Sequence, residues 1–242
     1  MRPKHAERRK ARLLRRRHGL PMKQIAKQLG VSPSSVHLWT REIQITAEQR
    51  ARNMQRSRTA FSQTWRRKHR KRRAAYQEEG RVAARARDPL HLAGCMLYWA
   101  EGLKRRGTVR LTNSDVHMLT FFRRFLTTCF DVEPHELTLS LHVYTGNGLS
   151  IPQIEVYWLN ALELPRSCLR KHSIDAFPTS SSGKKKNKLP YGVCTLTLHS
   201  TRITQHIFGA IQEYAGFEEP RWLDGPPIKP RPRKKRTATA EG

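Results

Sequence analysis

The sequence predicts an α+β chain: an all-helical N-terminal part, a long basic helical connector, and a C-terminal domain in which helices cover a sheet. Three observations carry that reading. Residues 5–45 show helical apolar spacing punctuated by glycine. Residues 46–88 hold a single glycine and no proline among dense Lys and Arg. From Pro89 onward, helical stripes take turns with stretches of strict two-residue alternation.

The first element, "HAERRKARLLRRRH" at 5–18, lacks a breaker, and Gly19 ends it. Pro21 can open a second helix, in which Ile25, Ala26 and Leu29 share a face. Gly30 stops it, because the left-handed turn conformation costs least at glycine. Val31 then points inward. Ser32 to Ser35 offer caps for a third helix whose core residues are Val36 and either Trp39 or Leu38. Helix, glycine turn, and a second helix with a small polar start make the pattern of a helix-turn-helix, assigned here to residues 1–45.

Thr46 and Gln49 can form a capping box at the start of the connector, 46–88, read as one or two long helices. Its apolar residues are sparse: Met54, Phe61, Trp65, Tyr76 and Val82. The block Arg66, Arg67, Lys68, Arg70, Lys71, Arg72 and Arg73 repels itself unless phosphates lie nearby. It is read as a nucleic-acid contact, with a solvated linker as the plainer alternative.

In the domain at 89–219, residues 90–102 form a helix that is apolar on most sides and expected to be buried. A strand at 108–112 follows. The next helix is capped by Asn113 or Ser114, with a core stripe of Val116, Leu119, Phe122 and Leu126 or Phe125. In the strand at 136–145, Leu137, Leu139, Leu141 and Val143 face one way and Thr138, Ser140, His142 and Tyr144 the other. A helix with Pro152 in its first turn, a short strand at 167–174, a flexible basic loop at 179–188 and a strand at 191–200 come next. Ser200 caps the last helix. The sheet's polar face is lined by Arg110, Thr112, His142, Tyr144, Thr195 and Thr197, and either reads a duplex groove or is simply solvated. The tail, 220–242, is rich in Pro, Lys and Arg and reads as disordered.

Charge narrows the function. The chain carries +28 over 242 residues, and residues 1–88 hold 26 Lys and Arg against 6 Asp and Glu. Such a surface calls for a polyanion, with nucleic acid ahead of an anionic membrane. No run approaches the ~18 apolar residues of a spanning helix, and the start lacks a signal-peptide core. Cys95, Cys129, Cys168 and Cys194 lie far apart without a CxxC pair, so the expectation is a reduced, cytoplasmic, nucleoid-associated protein. Cys168 and His172 have a ligand-like spacing, but packing is the expected role.

Two resemblances follow. Residues 8–45 resemble resolvase- and transposase-type helix-turn-helix domains of bacteria, with Ala26, Gly30, Val31, Ser35 and Val36 at packing and turn positions. That resemblance implies that residues 34–41 enter the major groove of double-stranded DNA. Ser34, Ser35 and His37 would meet base edges, and Arg41 a phosphate or guanine edge. One such module makes few contacts, so a homodimer or further contacts are expected.

The run "LYWAEG" before a strand, followed by "VRLTNSDVHMLTFFRRFL", resembles the LAGLIDADG homing-endonuclease fold over about residues 90–216. This implies a motif helix ending at Gly102, with Glu101 as a catalytic, Mg²⁺-binding carboxylate, and a sheet that saddles DNA. Aligned instead on Leu92-Ala93-Gly94, the acid position falls on Trp99. One motif per chain makes a paired metal site possible only in a homodimer, with Lys184, Lys185, Lys186 or Lys188 assisting. The combination of the two parts also resembles bacterial transcription regulators that join a helix-turn-helix to a LAGLIDADG-like domain without nuclease activity; here the helix-turn-helix comes first. A DNA-binding regulator without a cofactor and a homodimeric endonuclease therefore both follow, and charge alone would also fit an RNA-binding protein.

Overall fold

The computed structural model describes residues 4–177, 179–180, 183–184 and 188–224. The chain forms two compact units divided between His69 and Arg70.

The first unit contains α1 (His5–His18), α2 (Met22–Leu29), α3 (Pro33–Thr40) and the first part of α4 (Ala47–Arg85). Ala11, Ile25, Ala26 and Val36 are its buried centre, with Leu14, Leu20, Leu29, Val31 and Trp39 packed around them. Gly19 and Gly30 both adopt left-handed backbone, φ +61° and +63°, where a side chain would strain the turn. Thr46 and Gln49 form the expected capping box, each backbone N–H donating to the other's side chain at 3.1 Å.

The second unit holds the rest of α4, then α5 (Pro89–Glu101), β1 (Val109–Asn113), α6 (Val116–Phe130), β2 (Thr138–Tyr144) and α7 (Ile151–Ala161). After these come β3 (Ser173–Asp175), β4 (Thr179–Ser180), β5 (Gly183–Lys184), β6 (Val193–Leu198), α8 (Thr201–Ala215) and α9 (Pro220–Asp224). The main sheet runs β1-β6-β2-β3, with β2 and β3 parallel and the other pairs antiparallel. Leu139, Leu141 and Val143 of β2 and Cys194, Leu196 and Leu198 of β6 share its buried face. Trp158, Tyr98, Phe122, Phe125 and Phe208 are the largest fully buried side chains. This is a mixed α+β protein, mostly helical, with a small sheet.

Several expectations need correction. The late part of α4 is not a solvated connector: Gln77, Gly80 and Ala84 are buried. A Cβ on Gly80 would stand 1.9 Å from the His206 carbonyl oxygen, and one on Gly209 1.9 Å from that of Gln77. Reciprocal glycines thus let α4 and α8 touch backbone to backbone. α5 is not buried all round. His91, Gly94, Cys95 and Tyr98 face inward, while Leu92, Ala93, Trp99, Ala100 and Glu101 are exposed. Gly94 lies against the Phe125 ring of α6. The cap of α6 is Asp115, whose carboxylate accepts from His117 N and Met118 N; Asn113 instead accepts from Asp115 N.

The expected disordered tail begins with an ordered turn. In α9, Trp222 stacks on Phe208 with centroids 4.7 Å apart, and that burial holds the turn. Residues 225–242 lie outside the described residues, as do Lys185 and Lys186 of the basic loop.

Candidate nucleic-acid interface

The start of α3 is built by Ser32. Its hydroxyl accepts from Ser35 N at 3.1 Å, and Pro33 opens the helix where no N–H is needed. Val36 and Thr40 turn inward, and the Thr40 hydroxyl donates to the Val36 carbonyl. Arg12 of α1 donates to the Trp39 carbonyl at 2.8 Å, tying the end of α3 to the bundle. What remains outward is Ser34, His37, Leu38 and Arg41, at spacings of three, one and three, so they share one face. Ser34, His37 and Arg41 have no hydrogen-bond or ion-pair partner among the described residues. Their donors and acceptors are therefore free for an incoming base edge or phosphate.

One expectation changes here, and one open choice is settled. Ser35 is half-buried, its N–H donates to the capping Ser32 hydroxyl and its own hydroxyl is engaged with Ser32 Oγ at 2.8 Å, so its hydroxyl already has a partner within the helix start. Of the two candidates for the core, Trp39 packs inward, while Leu38 is 63% exposed. An apolar side chain held in solvent among polar ones escapes sequence reasoning, because apolar spacing alone cannot assign it to either side of a short helix. On a groove-facing helix such a side chain suits a thymine methyl.

On α4, Asn53 donates to the Gly19 carbonyl at 2.7 Å and ties that helix to the α1–α2 corner. Further along, Arg66, Arg67, Lys68 and Lys71 have no hydrogen-bond or ion-pair partner among the described residues. Arg72 donates to Tyr76 Oη. Arg70 and Arg73 are committed within the second unit: Arg70 pairs with Asp224 at 2.7 Å, and Arg73 donates to the Leu223 carbonyl at 2.8 Å. Burial and the nearby Arg106 hold the Arg73 guanidinium below its ordinary pKa.

The sheet's outer face is only partly open. Thr112 is exposed and shares a hydrogen bond with Thr195. Arg110 lies across the central strand, its Nε donating to Thr197 Oγ1 at 3.3 Å, and this leaves Thr197 buried. Tyr144 is also buried, its ring beside His142. His142 Nε2 shares a hydrogen bond with Asp175 at 2.6 Å, so that nitrogen is already engaged. Thr197 and Tyr144 therefore drop out of a DNA-reading surface.

Glu101 is the exposed last residue of α5. No group of three His, Cys, Asp or Glu side chains that could hold a metal ion is present among the described residues. Within one chain Glu101 is thus a single carboxylate and does not by itself fit a Mg²⁺ centre. Cys168 donates to the Pro134 carbonyl, and His172 is held between Leu141 N and Glu155, so that pair is used in packing. No helix among the described residues is long and apolar enough to cross a membrane.

The three short helices, their glycine turn and the outward face of α3 define a helix-turn-helix module. Residues 4–47 match the model of a homeodomain-like domain, and that match supports DNA binding by the N-terminal unit. No curated protein and no solved structure matches the chain.

Proposed function

We propose that this is a sequence-reading, double-stranded-DNA-binding regulator of transcription. The observation that carries the reading is the free face of α3 inside the matched homeodomain-like segment. Ser34, His37 and Leu38 meet base edges in the major groove, and Arg41 takes a guanine edge or a phosphate. Arg66, Arg67, Lys68, Lys71 and Arg72 add phosphate contacts that are blind to sequence. Arg110, Thr112 and His142 on the open part of the sheet are further contacts. Selection from a pool of random duplexes tests this: the protein enriches a defined motif, and recovery of an unenriched pool contradicts it.

The second unit is proposed to be LAGLIDADG-like on the sequence resemblance over about residues 90–216, with which its mixed α+β make-up is compatible. One observation favours a homodimer with residual nuclease function. The outward side chains of α5, Leu92, Ala93, Trp99 (stacked on Phe217) and Ala100, run to the helix end at which Glu101 is exposed. Pairing of two such helices brings two carboxylates near each other, which one chain lacks. Nicking of supercoiled plasmid in Mg²⁺ that disappears in Glu101→Gln supports this second reading. Absence of nicking leaves the regulator.

A further inference from the structure

We infer that α4 carries a second nucleic-acid site, one that takes unpaired bases by stacking them on Phe61 and Trp65. The inference rests on the DNA-binding reading above and deepens it. Met54, Arg58, Phe61 and Trp65 follow one another at steps of four, three and four, so they form a single strip on the helix. Met54 is 51% exposed, Phe61 67% and Trp65 53%. The Trp65 ring stacks on His69 at 3.9 Å, which leaves its opposite face outward. None of Met54, Phe61 and Trp65 has an apolar neighbour among the described core residues.

Charge decides what covers the strip. Residues 50–69 hold seven Lys and Arg and no Asp or Glu. A second copy of the helix would set Arg58 and its neighbours against like charges. An apolar protein surface would leave those cations without anions. A ligand that offers phosphates beside flat apolar faces satisfies both halves of the pattern, and nucleic acid is that ligand. In an intact duplex each base face is covered by its neighbour, so the aromatics gain little there. In a single strand, or a locally opened duplex, the faces are available.

The test uses the full chain with a single-stranded oligothymidylate and, in parallel, a duplex. Phe61→Ala/Trp65→Ala is expected to lower single-strand affinity at least about tenfold while duplex affinity changes far less. Trp65→Phe retains most of the single-strand binding. Because both side chains are solvent-facing, the double variant keeps its circular dichroism spectrum and melting temperature. Equal loss on both ligands overturns the inference. So does unchanged single-strand affinity, which would leave the strip to an acidic helical protein. Motif enrichment from random duplexes reports α3 separately, so failure there and failure here are distinguishable.

Discussion

At the scale of single residues, the second unit hides a titratable cluster inside its apolar core. His91 Nε2 and His206 Nε2 are 3.0 Å apart, and His91 Nδ1 meets Tyr214 Oη at 2.8 Å. Only one proton fits between the two rings. Phe125 and Phe130 pack against His91, and Phe130 also meets His206 edge-on. Burial, with His91 and then Arg202 adding to it, pushes His206 from 6.5 down to about 4, and burial also lowers His91 against the opposing pull of Asp88. The unfolded chain therefore takes up protons that the folded chain refuses. The contribution of this pair to stability is full above about pH 6.5 and is lost as the pH drops toward 4. Melting temperature measured across that window is expected to decline steeply, and His206→Gln to flatten the decline.

Other residues show what the sequence made readable. Gly30, Ser32, Ser200 and the Thr46–Gln49 box were legible because caps and left-handed turns are local chemistry. The cap at Asp115 was not, because Asn113, Ser114 and Asp115 are all competent and the choice follows from where β1 ends. Leu38 and Trp39 differ only in which way α3 is rolled, and the Arg12 bond to the Trp39 carbonyl helps fix that end of the helix.

At the scale of elements, α4 changes character along its length. Its early part is exposed and cationic, and its late part buries one face, at Gln77, Gly80 and Ala84. Composition made the first part readable, since so polar a helix gains little by packing. The second part was obscured because its packing relies on Gly80 and Gln77 rather than on an apolar stripe. The same contrast separates the cations in the basic block. Changing Arg66, Arg67 and Lys68 to Gln is expected to make the dependence of duplex affinity on salt shallower, by about 0.9 in logarithmic slope for each phosphate that the variant no longer neutralises. Arg70→Gln, which removes a residue already paired with Asp224, should change the slope less. Fluorescence-anisotropy titrations across a salt series measure both. In α5 the limit is similar: a helix apolar on most sides reads as buried, yet one of its apolar strips faces out.

At the scale of the whole molecule, the chain joins a small helix-turn-helix module to a larger α+β unit. The alternation of helix and strand in the second unit was legible from periodicity, down to the inward Leu and Val of β2. The sheet order was not, because β6 enters between β1 and β2 from far along the chain. Among the proposed DNA contacts, Ser34, His37 and Arg41 remain available on α3, whereas Ser35 is hydrogen-bonded to the capping Ser32. On the proposed reading, specific recognition depends on that one face, and the remaining cations contribute affinity that any duplex satisfies. Enrichment from random duplexes by the wild type and by His37→Ala/Arg41→Ala tests this most directly. A defined motif for the wild type, absent in the variant while non-specific affinity largely persists, is the predicted result. The same motif enriched by both proteins would contradict it.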